Sequence, residues 1–359
     1  MASELVKLAT NLVEEPLTSP SGGPESRPVM ADVARRAGVS HQTVSRVLNG
    51  HPNVSETTRA EVLAAIRDLG YRPNAAARTL VTGKTNFIGV ISVDTTLFGP
   101  AAMLYGIERA LHPEYFVAVA SLPEFDRDSL TDAVDRFAGQ AVAGIIVIAP
   151  ETSAADALRG VAVHVPLVVV GSGDYTPLAS VAIDNRAGAM LATRHLLDLG
   201  HETVHHIAAA ASSFDAAERV AGWREALAEA GASEPELMRG DWSARTGYEF
   251  GRELTARPEV TAVLCGNDAM ALGFLRAAAE RRRNVPGDIS VVGFDDTPEA
   301  VYYWPPLTTV RQDFGSLGVL ALDTLMRLIS GRDAPGAPPL VPGLIIRDSA
   351  GPPPRRNAP

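Results

Sequence analysis

From Phe87 onward the chain repeats one pattern, a short continuous apolar run followed by a helical stretch, and few architectures accommodate it. The runs are "FIGVISV" (87–93), "YFVAVASL" (115–122), "AGIIVIAP" (143–150), "VPLVVVGS" (165–172), "HETVHHIAA" (201–209), "TAVLCGND" (261–268) and "DISVVGFDD" (288–296). Helical stretches at 100–112, 127–139, 185–199, 216–231, 243–257 and 269–283 separate most of them. A run that is apolar at every position, not at alternate ones, is buried on both faces, so these strands belong to parallel sheets covered by helices on each side. The number of runs exceeds what one such sheet usually holds, which predicts two lobes. The last stretch, "APGAPPLVPGLIIRDSAGPPPRRNAP", adds a strand at 343–347 and is expected to fray beyond it.

The region ahead of Phe87 has a different texture. Residues 16–28, "PLTSPSGGPESRP", have the Pro, Ser and Gly content of a disordered lead-in. Three short helices follow. The first places Met30, Val33, Ala34 and Ala37 at helical spacing and ends at Gly38. The second starts after Ser40 and buries Val44, Val47 and Leu48. The third is capped by Ser55, carries Val62, Ala65, Ile66 and Leu69, and stops at Gly70. A fourth segment, "NAAARTLVTGKTN" (74–86), is Ala-rich and too short to be a stable helix alone.

Charge divides along the same line. The chain carries a formal −10, yet residues 28–84 hold eight basic side chains against four acidic ones and so stand at +4. A small basic module ahead of a large acidic body is the asymmetry expected when one part alone meets a polyanion. On a helical wheel centred on Val44, Gln42, Arg46 and Asn49 fall on the exposed side, Ser45 at its edge and His41 near the helix start. These are the side chains that pair with base edges and phosphates, and no acidic residue interrupts them. The same pattern also suits an ordinary helical hairpin with a wet face. The local positive charge, the position ahead of an acidic body and the third capped helix favour a helix-turn-helix that reads DNA.

In the body, two strands end in polar clusters, Asn267–Asp268 and Asp295–Asp296. Ligands of parallel α/β sheets sit beyond such carboxyl ends. Asp268 is expected to cap the helix "AMALGFL" and Asp296 the turn before Pro298, leaving Asn267 and Asp295 to grip vicinal hydroxyls, with Trp242 offering a ring face to a sugar. Enzyme signatures are missing. "GSGDYTP" (171–177) lacks the third glycine of a dinucleotide fingerprint, and "GKT" (83–85) lacks the upstream glycine of a phosphate loop. His201, His205 and His206 lack metal-ligand spacing and read as surface or strand-end histidines, and no nucleophile elbow is present. No catalysis, cofactor or metal is expected. The single Cys265 permits no internal disulfide, and the absence of a signal-like or membrane-spanning apolar stretch predicts a cytoplasmic protein with no membrane partner.

"MADVARRAGVSHQTVSRVLNG" (30–50), "VSETTRAEVLAAIRDLGYRPNAAARTL" (54–80) and the α/β body together resemble the LacI/GalR family of bacterial transcriptional repressors, from about Pro28 to about Ser349. The resemblance implies a helix-turn-helix domain at 28–73, a hinge at 74–85, and a two-lobed body at 86–351 like the periplasmic binding proteins. In that body the first lobe would take about 86–170 plus 314–341 and the second about 171–312 plus 342–351. Residues 1–27 and 352–359 would be disordered extensions. It implies that His41, Gln42 and Arg46 read bases, that Ser40, Thr43, Ser45, Asn49, Thr58 and Asn74 hold phosphates, and that Leu80 wedges into the minor groove once the hinge folds on DNA.

"GDWSARTGYEF", "NDAMALG", "ISVVGFDDT" and "PPLTTVRQDF" resemble most the galactoside-responsive branch, which implies an effector pocket of Arg219, Trp242, Asn267, Asp295, Gln312 and Phe314 with Leu97 as an apolar wall. Two departures stand out. Ala31 replaces a DNA-touching tyrosine of that branch, and Glu151–Thr152 replace a Leu-Asp pair, which is expected to alter one pocket wall. The function implied is a repressor of a pseudo-palindromic operator, released by a small sugar and acting as a homodimer, since the chain ends in Pro-rich sequence without a leucine heptad. A sugar-binding protein with no DNA role and a corepressor-dependent family member are the alternatives.

Overall fold

The computed structural model describes residues 28–48, 51, 53–71, 85–149, 151–159, 161, 164–334 and 336–355, in two compact units. The first unit holds α1 (Met30–Arg36), α2 (His41–Leu48) and α3 (Glu56–Leu69). Val33, Ala34, Val44, Val47, Val62, Ala65 and Tyr71 close a small core between them, with Met30, Ala37, Leu48, Ile66 and Leu69 packed at its edge. Gly38 turns the chain between α1 and α2 with φ +66°, a left-handed conformation that costs glycine nothing. Ser40 Oγ then accepts from Thr43 N (3.1 Å), and Ser55 Oγ accepts from Thr58 N (3.2 Å), so both following helices start where a short hydroxyl side chain satisfies a free backbone donor.

The second unit contains two sheets. The first, in the order β2-β1-β3-β4-β5, is parallel throughout: β1 (Phe87–Ser92), β2 (Phe116–Ser121), β3 (Gly144–Ile148), β4 (Leu167–Val170) and β5 (Ala179–Val181). The second runs β11-β10-β9-β8-β6-β7 from β6 (His205–Ala208), β7 (Met238–Arg239), β8 (Ala262–Cys265), β9 (Ser290–Asp295), β10 (Thr308–Arg311) and β11 (Gly343–Ile345). Its strands are parallel except β11, which returns antiparallel along β10. Strands β3, β4, β8 and β9 are buried at every residue, which is what continuous apolar runs require.

Helices α4 (Phe98–Ala110), α5 (Arg127–Gly139) and α6 (Thr152–Arg159) cover the first sheet; α7 (Asn185–Asp198), α8 (Phe214–Glu229), α9 (Ala244–Leu254) and α10 (Asp268–Glu280) cover the second. The last helix, α11 (Phe314–Ile329), returns to the first lobe and packs Phe314, Leu317, Ala321 and Leu325 into its core. Among the described residues no helix is long and apolar enough to cross a membrane.

Several expectations change here. The sequence pattern missed α6, α11, β5, β7 and β10, which are short or packed by contacts remote in the chain. Because β5 joins the first sheet, the first crossing between lobes falls at Asp184, not near 171. Residues 348–351 do not fray: Ser349 Oγ donates to Val291 O (2.6 Å) and accepts from Thr308 N (2.8 Å), and Gly351 O bonds the His201 ring (3.0 Å). Of the three histidines, His205 is partly exposed at the start of β6, as expected, while His201 and His206 are buried. His201 also meets Thr261 Oγ1 and Ser290 Oγ, and His206 is enclosed beside Trp223, where burial lowers its pKa to about 4. Residues 1–27, the hinge segment 74–84 and residues 356–359 lie outside the described set.

Helices α9 and α10 approach backbone to backbone. A Cβ on Gly273 of α10 would lie 1.8 Å from the Ala244 carbonyl oxygen of α9, and neither backbone can yield locally. Gly273→Ala is therefore expected to cost about 1–3 kcal/mol or more. Thermal unfolding should show a loss of roughly 2–4 °C per kcal/mol for a body of this size; an unchanged melting temperature would contradict the close approach.

Candidate functional site

Two surfaces carry the residues singled out from the sequence, one in each unit. In the first, α2 buries Val44 and Val47 and exposes His41, Gln42 and Arg46, with Thr43 and Ser45 partly buried. Ser40 Oγ and Thr43 Oγ1 bond each other (2.9 Å), as do Ser55 Oγ and Thr58 Oγ1 (2.8 Å), so the hydroxyls of Thr43 and Thr58 sit at helix entrances where backbone N–H groups also point outward. Ala31 is exposed on α1. Asn49, Asn74 and Leu80 fall outside the described residues.

In the second unit, Leu97, Arg219, Trp242, Asn267, Asp295, Gln312 and Phe314 line one cavity of about 260 Å³ between the two sheets. That is near the lower bound for pockets that enclose small molecules. The chain crosses between the lobes beside it. Ile183 bridges Leu340, and Asp184 N donates to Leu340 O (2.9 Å) where two crossing segments run together; Gln312 and Phe314, on either side of a third crossing, both reach the cavity. Phe314 stacks edge-on against Phe98 (5.8 Å), so the first lobe contributes a mainly apolar wall with Leu97, Ile148 and Val170.

The second lobe contributes the charge. Arg219 is buried on α8 and each of its guanidinium nitrogens faces a partner: Nε donates to Asn185 Oδ1 (2.8 Å), Nη1 to Gly266 O, and Nη2 lies 3.6 Å from Asp295 Oδ1. Its flat faces meet Trp242 (5.0 Å) and Phe294 (3.9 Å). Gln312 Nε2 donates to Asp295 Oδ1 (2.7 Å), the same oxygen that faces Arg219. Asp295 itself adopts φ +110°, a conformation an L-residue with a side chain rarely holds, and it does so at the end of a fully buried strand. Strain of this kind costs about 1–3 kcal/mol and persists only where the surroundings over-determine it.

Asn267 and Asp295 line the cavity as expected, but the capping roles expected of Asp268 and Asp296 do not hold. Asn267, not Asp268, caps α10: its extended backbone brings Oδ1 to Met270 N (2.8 Å), while Nδ2 donates to Trp242 O (3.0 Å) and so holds the indole against the cavity. Asp268 is already helical and fully buried. It turns instead to the ends of β9 and β10, accepting from Thr309 Oγ1 (2.5 Å) and Thr297 N (2.8 Å). Asp296 caps nothing; it pairs with Arg311 and Arg347, both at 2.6 Å, and clamps β10 to the returning C-terminal segment. Glu151 and Thr152 do not line the cavity. Their backbones pair with Ser213 and Ser212, just ahead of α8.

Sequence reasoning missed Asp215, Ser172 and Asn185, all of which line the cavity. Asp215 was within reach, since it lies four residues before Arg219 on α8 and so shares its face. Ser172 and Asn185 flank the first crossing between the lobes, and nothing local marks them.

Burial dominates the electrostatics. It raises Asp268 to about 7, with help from the Asp295 charge, and raises Asp295 to about 6 against the pull of Arg219 and the Gln312 hydrogen bond. Asp215 is raised by burial too, opposed by Arg219 and Ser172. Among the described residues no cluster of His, Cys, Asp or Glu is arranged to hold a metal ion.

Residues 29–74 match the family described as bacterial regulatory proteins, lacI family, and residues 193–350 match the periplasmic binding protein-like domain. The lactose operon repressor of Escherichia coli (strain K12) is 36% identical over 319 residues, which is 88% of this chain and 89% of that protein. A crystal structure of the lac repressor dimer bound to operator and the anti-inducer ONPF superposes with a TM-score of 0.81 at 34% identity, covering 90% of this chain and 99% of that one. A complex of the transcriptional regulator CelR with cellobiose gives 0.67 at 32% identity, covering 90% of this chain and 100% of the other.

Unfolded, Asp268 and Asp295 titrate near 4. The folded protein therefore holds protons that the unfolded chain has released between pH 4 and 7. The stability these carboxyls contribute is full below about 4 and is lost as pH rises through 6 and 7. Asp268→Asn removes one charge that must be desolvated. The variant should lose less melting temperature than wild type between pH 5 and 7.5; parallel curves would contradict the assigned cause.

Proposed function

The chain belongs to the lacI family of bacterial regulatory proteins and is a DNA-binding transcriptional regulator; from that premise we propose that it is a repressor whose operator affinity falls when a small saccharide occupies the cavity between its lobes. The observation that carries this reading is the cavity itself. Seven residues chosen from the sequence, scattered from Leu97 to Phe314, converge on one space that offers carboxylate, amide, guanidinium and indole groups. A saccharide asks for that mixture: carboxylate and amide groups for vicinal hydroxyls, and a ring face for its C–H side. The lac repressor and CelR complexes, at over 30% identity, support a ligand of this class.

The lobes present different chemistry to such a ligand, apolar from one side and hydrogen-bonding from the other, so it binds best at one particular spacing of the lobes. Operator affinity responds only as far as the ligand prefers that arrangement over the DNA-binding one. On the DNA, His41, Gln42 and Arg46 of α2 are assigned to base edges and Ser40, Thr43, Ser45 and Thr58 to phosphates. Asn49 and Asn74 as further phosphate ligands and Leu80 as a minor-groove wedge complete the same proposal. A regulator of this kind works in the cytoplasm, beside the chromosome.

Two copies are needed to read a pseudo-palindrome. The body exposes Tyr302 (86%) and Trp304 (93%), with Val301 beside them in the chain, and also Tyr105 and Leu272. We assign them to a second copy of the chain, with the lac repressor dimer as the precedent.

Gel shifts on a palindromic site near the protein's own gene, run at a series of salt concentrations, are expected to show affinity that rises as salt falls. Arg46→Ala should weaken it by about 1–3 kcal/mol and relax preference at one position of each half-site. Addition of a bound saccharide should weaken it as well; tightening instead would make the ligand a corepressor, and no affinity for any palindromic site would sink the repressor reading. Sedimentation equilibrium should return a mass of two chains, and a mass of one or four would overturn the dimer.

A further inference from the structure

The ionisable side chains lining the cavity are Asp215, Asp295 and Arg219. One guanidinium thus faces two carboxylates, with a third, Asp268, buried just behind and facing β9 and β10. Arg219 is already committed. Its three nitrogens go to Asn185, Gly266 and Asp295, and its faces to Trp242 and Phe294. Asp295 takes that ion pair and the Gln312 hydrogen bond.

Asp215 is left differently. Ser172 Oγ donates to its Oδ1 (2.8 Å) across the seam between the lobes, and no basic side chain among the described residues forms an ion pair with it. A partly buried carboxylate without a cation is costly unless something supplies it with hydrogen-bond donors. Ser172 supplies one donor and the charge of Arg219 acts from further off, so a group in the cavity is placed to supply a further donor.

Resting on the saccharide reading above, we infer that Asp215 is the residue that selects the effector by charge: it accepts a hydrogen bond from a hydroxyl or ammonium group of the ligand, and with Asp295 it excludes phosphorylated and acidic saccharides. A phosphate or carboxylate placed in this cavity would be desolvated beside two carboxylates, while the positive charge of Arg219 is shared between them and it is held by Asn185, Gly266 and Asp295. A hydroxyl loses nothing there, and an ammonium would gain an ion pair. Because Ser172 holds the same carboxylate from the opposite lobe, the donor is read where the lobes meet.

The test is calorimetric titration of the full-length protein at pH 7.5. Four matched sets of galactose- and glucose-based ligands are needed: neutral hexoses and their methyl glycosides, neutral disaccharides including lactose and cellobiose, the 2-amino-2-deoxy sugars, and the uronic acids with the 6-phosphates. Neutral or amino forms should bind and their acidic counterparts should not. Asp215→Asn keeps an acceptor for Ser172 while removing the charge; it should weaken the bound form about tenfold to hundredfold and narrow its advantage over the acidic counterpart. A loss larger for the amino than for the neutral sugar identifies ammonium as the donor.

Ser172→Ala retains the carboxylate and should discriminate against anions as wild type does; loss of that discrimination would make the role structural and overturn the inference. An acid or phosphate bound by wild type as tightly as its neutral parent overturns it without recourse to any variant. Neutral binding untouched by Asp215→Asn overturns it while leaving the saccharide reading intact, and no binding by any set overturns both.

Discussion

The body is organised around a buried cation. Arg219 sits on α8 with its guanidinium out of bulk water, a placement that costs several kcal/mol unless every donor and both faces are answered. The answers come from four separate parts of the chain: Asn185 at the start of α7, Gly266 after β8, Asp295 at the end of β9, and Trp242 ahead of α9. Meeting that requirement brings the carboxyl ends of the second sheet and two of its helices to one point. The cavity is the space in front of that point, and its shape follows from the groups needed to hold the charge.

The remaining features of the second lobe support that arrangement. Asn267 caps α10 and at the same time holds the Trp242 carbonyl, so the aromatic face that covers Arg219 is positioned by a helix start. The close approach of α9 and α10, permitted by glycine at the contact, makes that link short. Asp268 and Asp296, which look in the sequence like further ligands or caps, secure β9 to β10 and β10 to the returning chain. The strained φ of Asp295 lies where these restraints meet. The first lobe supplies little polarity, and its α11 is formed by chain that has already left for the second lobe and come back. Three crossings beside the cavity mean that a ligand filling it contacts both lobes at their seam.

Much of this was legible from the residues alone. The continuous apolar runs correspond to β1–β4, β6, β8 and β9, although β2, at the edge of its sheet, is buried only at Ala120 and not on both faces; the first three helices follow their caps and glycine stops closely. The pocket residues carried by strand ends and by resemblance converge on one cavity. What escaped has a common cause. Strands β5, β7 and β10 have two to four residues, too few for a period to show, and exist because a neighbouring strand offers a ladder. Asp268 and Asn267 are adjacent and chemically alike, so their division into strut and cap depends on which backbone is extended. The C-terminal segment looks like a Pro-rich tail, but Ser349 and Gly351 find partners on β9, β10 and His201 that lie 41 to 150 residues away in the chain.

The sequence by itself determined the α/β body, the three-helix unit ahead of it, the face of α2 and the residue types that surround the cavity, because burial periodicity, capping and charge are local properties. Only the tertiary structure decided that Asp215, Ser172 and Asn185 join the site, that Asp268 is a strut, and that Glu151 and Thr152 stand apart. Those assignments depend on distances between segments far apart in the chain, and such distances are set by how a buried guanidinium and two crossing lobes satisfy their partners at once.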